Sequence, residues 1–131
     1  MPAEPASLAI QWDVPAALCE PINDRPQVVC VCGSTRFRDE MADANRRLTL
    51  AGAIVLAPAV FQHSGDTITE TQKDRLDELH LRKIDLADAV FVVDPGGYVG
   101  DSTTREIEYA RSTGKPVFRL SSLRDHQAGQ R

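Results

Sequence analysis

Four short apolar runs, separated by polar segments with helical spacing, constrain the fold of this chain more than any other feature. The runs cover residues 28–32, 53–57, 89–93 and 117–120. Apolar residues fill the first three runs without alternation, which is typical of strands buried on both faces of a parallel sheet, and the fourth run contains Arg119. Strands that alternate with helices predict an α/β fold with right-handed crossovers. We therefore expect a mainly parallel sheet of four to five strands.

The segments between these runs have the spacing of amphipathic helices. Apolar residues recur at three- and four-residue steps after the first run, up to Gly52, and again over residues 76–86. This periodicity is typical of helices with one buried face. A third helix is predicted to begin at Ser102 or Thr103 and to end at Gly114. Glu106 stands three residues after Thr103, which is the spacing of a capping box.

The length of 131 residues allows one domain. We assign the α/β domain to residues 27–121 and a polar C-terminal tail to residues 122–131. Residues 1–26 form a proline-rich N-terminal arm, since proline fixes φ and removes a hydrogen-bond donor. A short strand is possible within this arm at residues 8–13. Trp12 is a candidate to cover part of the core.

Composition and charge narrow the functional classes. The net charge is −4, which disfavours binding of a nucleic acid polymer through overall charge. No apolar run is long enough to span a membrane. The N-terminus has neither the basic nor the apolar region of a signal peptide. We therefore predict a cytoplasmic protein whose partners are small molecules rather than nucleic acids or membranes.

The cysteines and histidines predict neither a metal site nor a cofactor. Cys30 and Cys32 face the same side of the first predicted strand, and only one further cysteine, Cys19, is present. No second cysteine pair completes a zinc site. We interpret Cys30 and Cys32 as small buried apolar residues in a reduced protein. His63 and Asp66 show no metal-ligand spacing.

Ligands of parallel α/β sheets collect at the carboxyl ends of the strands, which in this chain are residues 33–36, 58–66 and 94–106. The first such end is residues 33–36. Gly33 allows close approach of a ligand to the backbone, while Ser34 and Thr35 add hydroxyl groups beside a helix N-terminus. Arg36 can pair with a phosphate or a carboxylate. The alternative is a capped helix with a solvated arginine.

A second such end is the glycine-rich loop over residues 94–102. Tyr98 can stack on a base or a sugar, or it can pack against its own loop. Glu106 follows in the first turn of the next helix, which places a carboxylate near the sheet edge. Alternatively, Glu106 only caps that helix.

Three segments, in order, resemble the nucleoside 2-deoxyribosyltransferase superfamily, which includes nucleoside 5′-monophosphate N-glycosidases. The first is Cys32-Gly33-Ser34-Thr35-Arg36, after the first strand. The second is residues 85–93, an aspartate followed by an apolar strand. The third is Glu106-Ile107-Glu108-Tyr109-Ala110, followed by Gly114-Lys115-Pro116-Val117. The resemblance spans residues 28–120 and implies a Rossmann-like three-layer sandwich.

The resemblance implies cleavage of an N-glycosidic bond, with Glu106 as the nucleophile that attacks C1′ of the sugar. Asp94 or Asp101 would assist the leaving base as an acid. Substrate would be held by residues of two strand ends and of the second helix: Gly33, Ser34, Thr35, Arg36, His80, Tyr98, Gly100, Ser102 and Thr103. The family also implies a homo-oligomer.

The chain departs from the family pattern at three places. His80 occupies the position of a sugar-binding aspartate, and Glu108 replaces a glycine two residues after the nucleophile. The family has an aspartate shortly before the nucleophile. In this chain the Gly100-Asp101 pair takes its place, with an offset of one residue. Two further functions therefore stay open beside the enzyme. One is a nucleotide-binding module without catalysis, and the other is an interaction or structural domain.

Overall fold

The computed structural model describes residues 12–59 and 67–123 of the chain. Within these ranges, helices and strands alternate in the predicted order from residue 28 onwards, and a short helix that was not predicted precedes them in the N-terminal arm. They are α1 (Ala16–Cys19), β1 (Val28–Gly33), α2 (Arg38–Leu50), β2 (Ile54–Leu56), α3 (Glu70–Leu86), β3 (Ala89–Val93), α4 (Asp101–Ser112) and β4 (Val117–Arg119). Short 3-10 helices at Thr35–Phe37 and Pro95–Gly97 follow β1 and β3. No helix within these ranges is long and apolar enough to cross a membrane.

The four strands form one parallel sheet in the order β2-β1-β3-β4. β1 pairs with β2 from Val28 opposite Ile54, and with β3 from Val29 opposite Ala89. The predicted parallel α/β fold is therefore confirmed. The chain first adds β2 on one side of β1 and then adds β3 on the other side. This reversal creates a crevice at the carboxyl ends of β1 and β3, which is where open α/β sheets bind ligands.

The two faces of the sheet carry separate apolar layers, as a three-layer fold requires. On one face, Val29, Val31 and Phe91 pack with buried residues of α2. On the other face, the neighbouring strand positions pack against α3 and α4; this second layer comprises Cys30, Cys32, Ile84, Ala87, Val90, Val92, Ile107 and Ala110. Because successive strand residues point to opposite faces, an apolar run without alternation is needed to supply both layers.

The prediction that the second run is a strand buried on both faces is wrong. β2 is an edge strand, and Ile54 is 48% exposed. β4 lies at the other edge and is half-buried. An apolar run shows that a strand has apolar neighbours but does not show whether it lies at the centre or the edge. The fourth strand also ends one residue earlier than predicted, because a helical turn occupies residues 120–123.

The start of α4 also differs from the prediction. The N-cap is Gly100, with no side-chain hydrogen bond to the helix, and Asp101 is the first helical residue. Thr103 is only 3% exposed and lies inside the helix, so the capping box with Glu106 is wrong. Glu106 instead lies in the second turn. Its position therefore needs another explanation than capping.

The described part of the predicted arm packs against the domain. Trp12 is 3% exposed and stacks on Phe91, with ring centroids 5.1 Å apart. Leu18 of α1 is fully buried in the same layer. The prediction that Trp12 covers the core is confirmed. Most of the strand predicted at residues 8–13, the loop that holds His63 and Asp66, and the tail from residue 124 lie outside the described residues.

Candidate functional site

A cavity of about 280 Å³ lies at the carboxyl ends of β1 and β3, between α3 and α4. Many of the predicted site residues line it: Gly33, Ser34, Thr35, His80, Gly100, Ser102, Thr103 and Glu106. They come from three separate segments of the chain, so the fold brings together what the sequence separates. This volume lies at the lower end of the range for small-molecule pockets, which begins at about 300 Å³.

Glu106 lines this cavity from the second turn of α4, with its side chain 15% exposed. Its Oε1 lies 3.7 Å from Nε2 of His80. Burial raises the pKa of Glu106 above its ordinary value, and the adjacent His80 opposes that shift. A partly desolvated carboxylate that lines a cavity beside an imidazole is suited to nucleophilic or acid–base chemistry.

His80 projects from α3 and links the cavity to the core. It is 6% exposed, and its Nε2 lies 3.3 Å from Sγ of Cys32 and 3.7 Å from Sγ of Cys30. Burial lowers the pKa of His80, but its contacts with Cys30 and Glu106 outweigh burial, so the pKa is raised overall. The imidazole therefore stands between a carboxylate on one side and two thiols on the other.

Cys30 and Cys32 are both fully buried and free, as predicted. The sequence did not predict their contact with His80, which is 48 residues beyond Cys32. The hydrogen bond between the two thiols, aided by His80 and opposed by burial, lowers the pKa of Cys30. The same hydrogen bond, together with burial, raises the pKa of Cys32.

Two helix N-termini contribute to the cavity wall. Ser34 begins the 3-10 helix after β1, and its hydroxyl accepts a hydrogen bond from the Arg36 N–H at 3.3 Å. Ser102 and Thr103 lie in the first turn of α4. Unpaired N–H groups at a helix start favour anionic ligands. The anion-binding elements predicted from the sequence therefore border the cavity that Glu106 lines.

Gly33 stands where β1 meets this cavity, and its neighbours explain why glycine is needed. A Cβ at this position would lie 2.9 Å from the Val93 carbonyl oxygen and 3.3 Å from Sδ of Met41. Such distances are too short for normal packing. The missing side chain lets β1 and β3 approach each other closely beside the cavity.

Four of the predicted residues do not line the cavity: Arg36, Tyr98, Asp94 and Asp101. Asp94 is fully buried at the end of β3 and binds Arg119 and Ser121 of the β4 side. Asp101 is exposed in the first turn of α4. The acid role predicted for these carboxylates thus has no support from their position.

Tyr98 and Arg36 contact each other outside the cavity. Tyr98 is 44% exposed, and the Arg36 guanidinium carbon lies 4.5 Å from the centre of its ring. Gly96 and Gly97, just before Tyr98, have φ values of 67° and 84°, a backbone conformation that favours glycine. This turn places Tyr98 against Arg36 and Phe37. The pair forms a cationic group beside the Gly33–Thr35 segment.

Pro58 and Ala59, at the start of the strand end predicted at residues 58–66, line the cavity, and Ile68 does so as well. Lys73, Leu76 and Asp77 of α3 also line it and were not predicted. Lys73 Nζ lies 3.1 Å from Asp77 Oδ2. The α3 residues stand seven, four and three positions before His80, so helical periodicity puts them on the same face as His80. This helical spacing from His80 is the sequence signal from which the three α3 residues could have been predicted.

Sequence comparison adds no relative to this description. The chain matches no protein-family model and no curated protein.

Proposed function

We propose that this protein cleaves or transfers the N-glycosidic bond of a nucleoside or nucleotide, with Glu106 as the nucleophile. One observation carries the proposal: Glu106 lines the cavity at the switch point of the sheet and takes no part in capping α4. A carboxylate at this position is available to a ligand. The resemblance of residues 32–36, 85–93 and 106–117 to the deoxyribosyltransferase superfamily supports the same chemistry.

The reaction proceeds in two steps. A Glu106 oxygen forms a bond to C1′ while the bond from C1′ to the base nitrogen breaks, and its electron pair leaves with the base. The departing base takes up a proton. Water or a second base then attacks C1′, loses a proton and releases the Glu106 carboxylate. Both steps pass through an oxocarbenium-like transition state, whose positive charge a nearby carboxylate stabilises.

The second carboxylate of the cavity is Asp77, rather than Asp94 or Asp101. It stands on the face of α3 that carries His80 and is paired with Lys73. An ionised carboxylate there can accept hydrogen bonds from sugar hydroxyls. His80 contacts Glu106 and holds its carboxylate in place. The hydroxyls and N–H groups at Ser34, Thr35, Ser102 and Thr103 then provide the site for a 5′-phosphate.

Base release is the direct test. Nucleosides and nucleoside 5′-monophosphates are incubated with the protein, and the free base is separated by chromatography. Wild type should release base, and Glu106→Gln should lower the rate by at least about a thousandfold, because the amide cannot form the sugar ester. Glu108→Gln is the matched control, since Glu108 is exposed two residues further along α4.

Ligand-dependent melting separates this proposal from its alternatives. A bound ligand raises Tm by mass action. One outcome is that a nucleotide raises Tm equally in wild type and in Glu106→Gln while no base is released. This result would show that the protein is a nucleotide-binding module and not an enzyme. No stabilisation and no base release with any nucleoside or nucleotide would overturn both functions.

A further inference from the structure

Three buried side chains beneath the cavity have the composition of a soft-metal site. The Sγ atoms of Cys30 and Cys32 and a ring nitrogen of His80 all lie within 4.8 Å of one another. Cys30 and Cys32 come from the central strand β1, and His80 comes from α3, which packs on that face of the sheet. Thiolate and imidazole are the ligands that Zn²⁺ prefers.

The distances match a tetrahedral zinc ion. Zn–S bonds of about 2.3 Å and Zn–N bonds of about 2.0 Å place sulfur and nitrogen about 3.5 Å apart in a tetrahedron. The observed separations from His80 Nε2 are 3.3 Å to Cys32 and 3.7 Å to Cys30. The three donors therefore need little movement to share one ion.

Glu106 contacts the imidazole of this group but lies outside the group of three mutually close donors, so its carboxylate must turn to reach a shared ion. Its Oε1 is 3.7 Å from the same His80 nitrogen, close to the separation of about 3.4 Å between nitrogen and oxygen ligands of one zinc ion. His80 and Glu106 line the cavity, while the cysteines lie behind them. An ion can thus enter from the cavity and reach the thiols past these two side chains.

The surroundings of the three donors favour stable rather than transient binding of an ion. Cys30 and Cys32 belong to an apolar layer that includes Ile84, Val92 and Ile107. A rigid apolar shell fixes ligand orientation and limits access of water. Two thiolates and one carboxylate would exceed the charge of Zn²⁺ by one negative charge. Lys83 is close enough to Cys30 to act on it electrostatically and would offset part of this excess. The carboxylate also favours Zn²⁺ over Cu⁺, which prefers sulfur and nitrogen ligands.

We propose that Cys30, Cys32 and His80 bind one Zn²⁺ ion beneath the cavity, and that Glu106 turns towards the ion to become its fourth ligand. Binding releases the thiol protons to solvent. A consequence rests on the proposed function: zinc occupies the carboxylate that attacks C1′, so the metal-bound protein is an inactive form. Removal of the ion restores the nucleophile.

Cobalt substitution tests the site without reference to activity. Metal-free protein carrying Cys19→Ser keeps only Cys30 and Cys32 as thiols. Titration with Co²⁺ should produce a thiolate-to-cobalt charge-transfer band that saturates at one equivalent and is displaced by Zn²⁺. The band should be absent when Cys30→Ser and Cys32→Ser are added, and His80→Gln should weaken binding at least about tenfold. Absence of the band in the Cys19→Ser protein would overturn the proposal.

Two further measurements do not depend on the folding of the cysteine and histidine variants. Zn²⁺ should raise the Tm of wild type and of Cys19→Ser, whereas Mg²⁺ should not, because Mg²⁺ prefers oxygen ligands. Equal shifts with both ions would contradict a thiolate site. Base release by wild type is then measured with one equivalent of Zn²⁺ and again after a chelator is added. We expect at least a tenfold loss that the chelator reverses.

The two proposals fail in different ways. If no base is released under any condition, the proposed function falls, but a cobalt band that saturates at one equivalent still establishes the metal site. If base release is unaffected by an ion that cobalt spectroscopy shows to be bound, Glu106 is not its ligand and the inhibitory role is wrong.

Discussion

Nε of Arg119 lies 2.8 Å from Oδ2 of Asp94, and this ion pair joins the end of β3 to the end of β4. Asp94 is fully buried and also accepts hydrogen bonds from the N–H and the hydroxyl of Ser121, at 2.9 and 2.7 Å. Removing the carboxylate leaves these donors without a buried acceptor. We expect Asp94→Ala to lower the free energy of unfolding by about 3 kcal/mol, measured by urea denaturation.

Asp101→Ala is the control for this prediction. Asp101 is exposed in the first turn of α4, where its interaction with the helix dipole is worth less than about 1 kcal/mol. Equal losses for the two variants would mean that burial does not distinguish the two carboxylates.

The second prediction concerns the N-terminal segment. Trp12 is 3% exposed, stacks on Phe91, and its carbonyl accepts a hydrogen bond from Arg47 at 3.3 Å. Truncation of a buried aromatic side chain leaves a cavity, so Trp12→Ala should cost about 3–5 kcal/mol in the free energy of unfolding. Tyr98→Ala, at a residue 44% exposed, should cost less than half as much. A Trp12→Ala protein as stable as wild type would show that residues before β1 are dispensable for folding.

The order of strands and helices along the chain and the position of the cavity could be predicted from local patterns. Apolar runs located β1 and β3, and the rule that ligands bind at carboxyl ends of strands located Gly33 and Glu106. Edge and central strands could not be told apart, because the run that contains Ile54 is as apolar as the run that contains Val90. Which strand lies at an edge depends on pairing between distant segments.

The contact between His80 and the two cysteines was not predictable for the same reason. Cys30 and Cys32 were correctly placed on one face of β1. The face of α3 that meets them depends on how the helix packs, which no local pattern determines. Asp94 is a different case: the family resemblance implied an active-site acid, whereas the structure shows a fully buried side chain bound to Arg119 and Ser121.

The third prediction concerns close packing beside the cavity. Because a Cβ on Gly33 would lie 2.9 Å from the Val93 carbonyl oxygen, Gly33→Ala must push β1 away from β3. We expect a loss of about 1–3 kcal/mol in the free energy of unfolding, the usual cost of overpacking. Gly100→Ala is the matched control, since its nearest contact would be the Tyr98 hydroxyl at 3.5 Å. A smaller loss at Gly33 than at Gly100 would contradict the argument.

The fourth prediction is a pH dependence of stability. Hydrogen bonds from Arg25 lower the pKa of Asp88 to about 2, against a smaller opposing effect of burial, and the Val28 N–H adds to the lowering. An unfolded aspartate has a pKa of about 3.9. The folded state therefore binds the proton more weakly. The stability that Asp88 contributes is present above about pH 4 and is lost as the pH falls towards 2.

Urea unfolding of wild type and Asp88→Asn between about pH 2 and pH 5 measures this contribution. The two stabilities should converge as the pH falls, because protonated Asp88 resembles the amide. Other carboxylates titrate in both proteins and cancel in the difference. A difference that stays constant over this range would show that Asp88 does not have a lowered pKa in the folded state.

The fifth prediction concerns substrate preference and depends on the proposed function. Arg36 stacks on Tyr98 immediately after Thr35, which lines the cavity. A guanidinium stacked on a ring keeps its edge N–H groups for a phosphate. Arg36→Gln should therefore weaken nucleoside 5′-monophosphate binding about tenfold, as expected for loss of one charge-assisted hydrogen bond, and leave nucleoside binding unchanged. Calorimetric titration measures both, with Arg46→Gln on α2 as the control. Equal weakening of both ligands would mean that Arg36 supports the fold of the cavity rather than the phosphate.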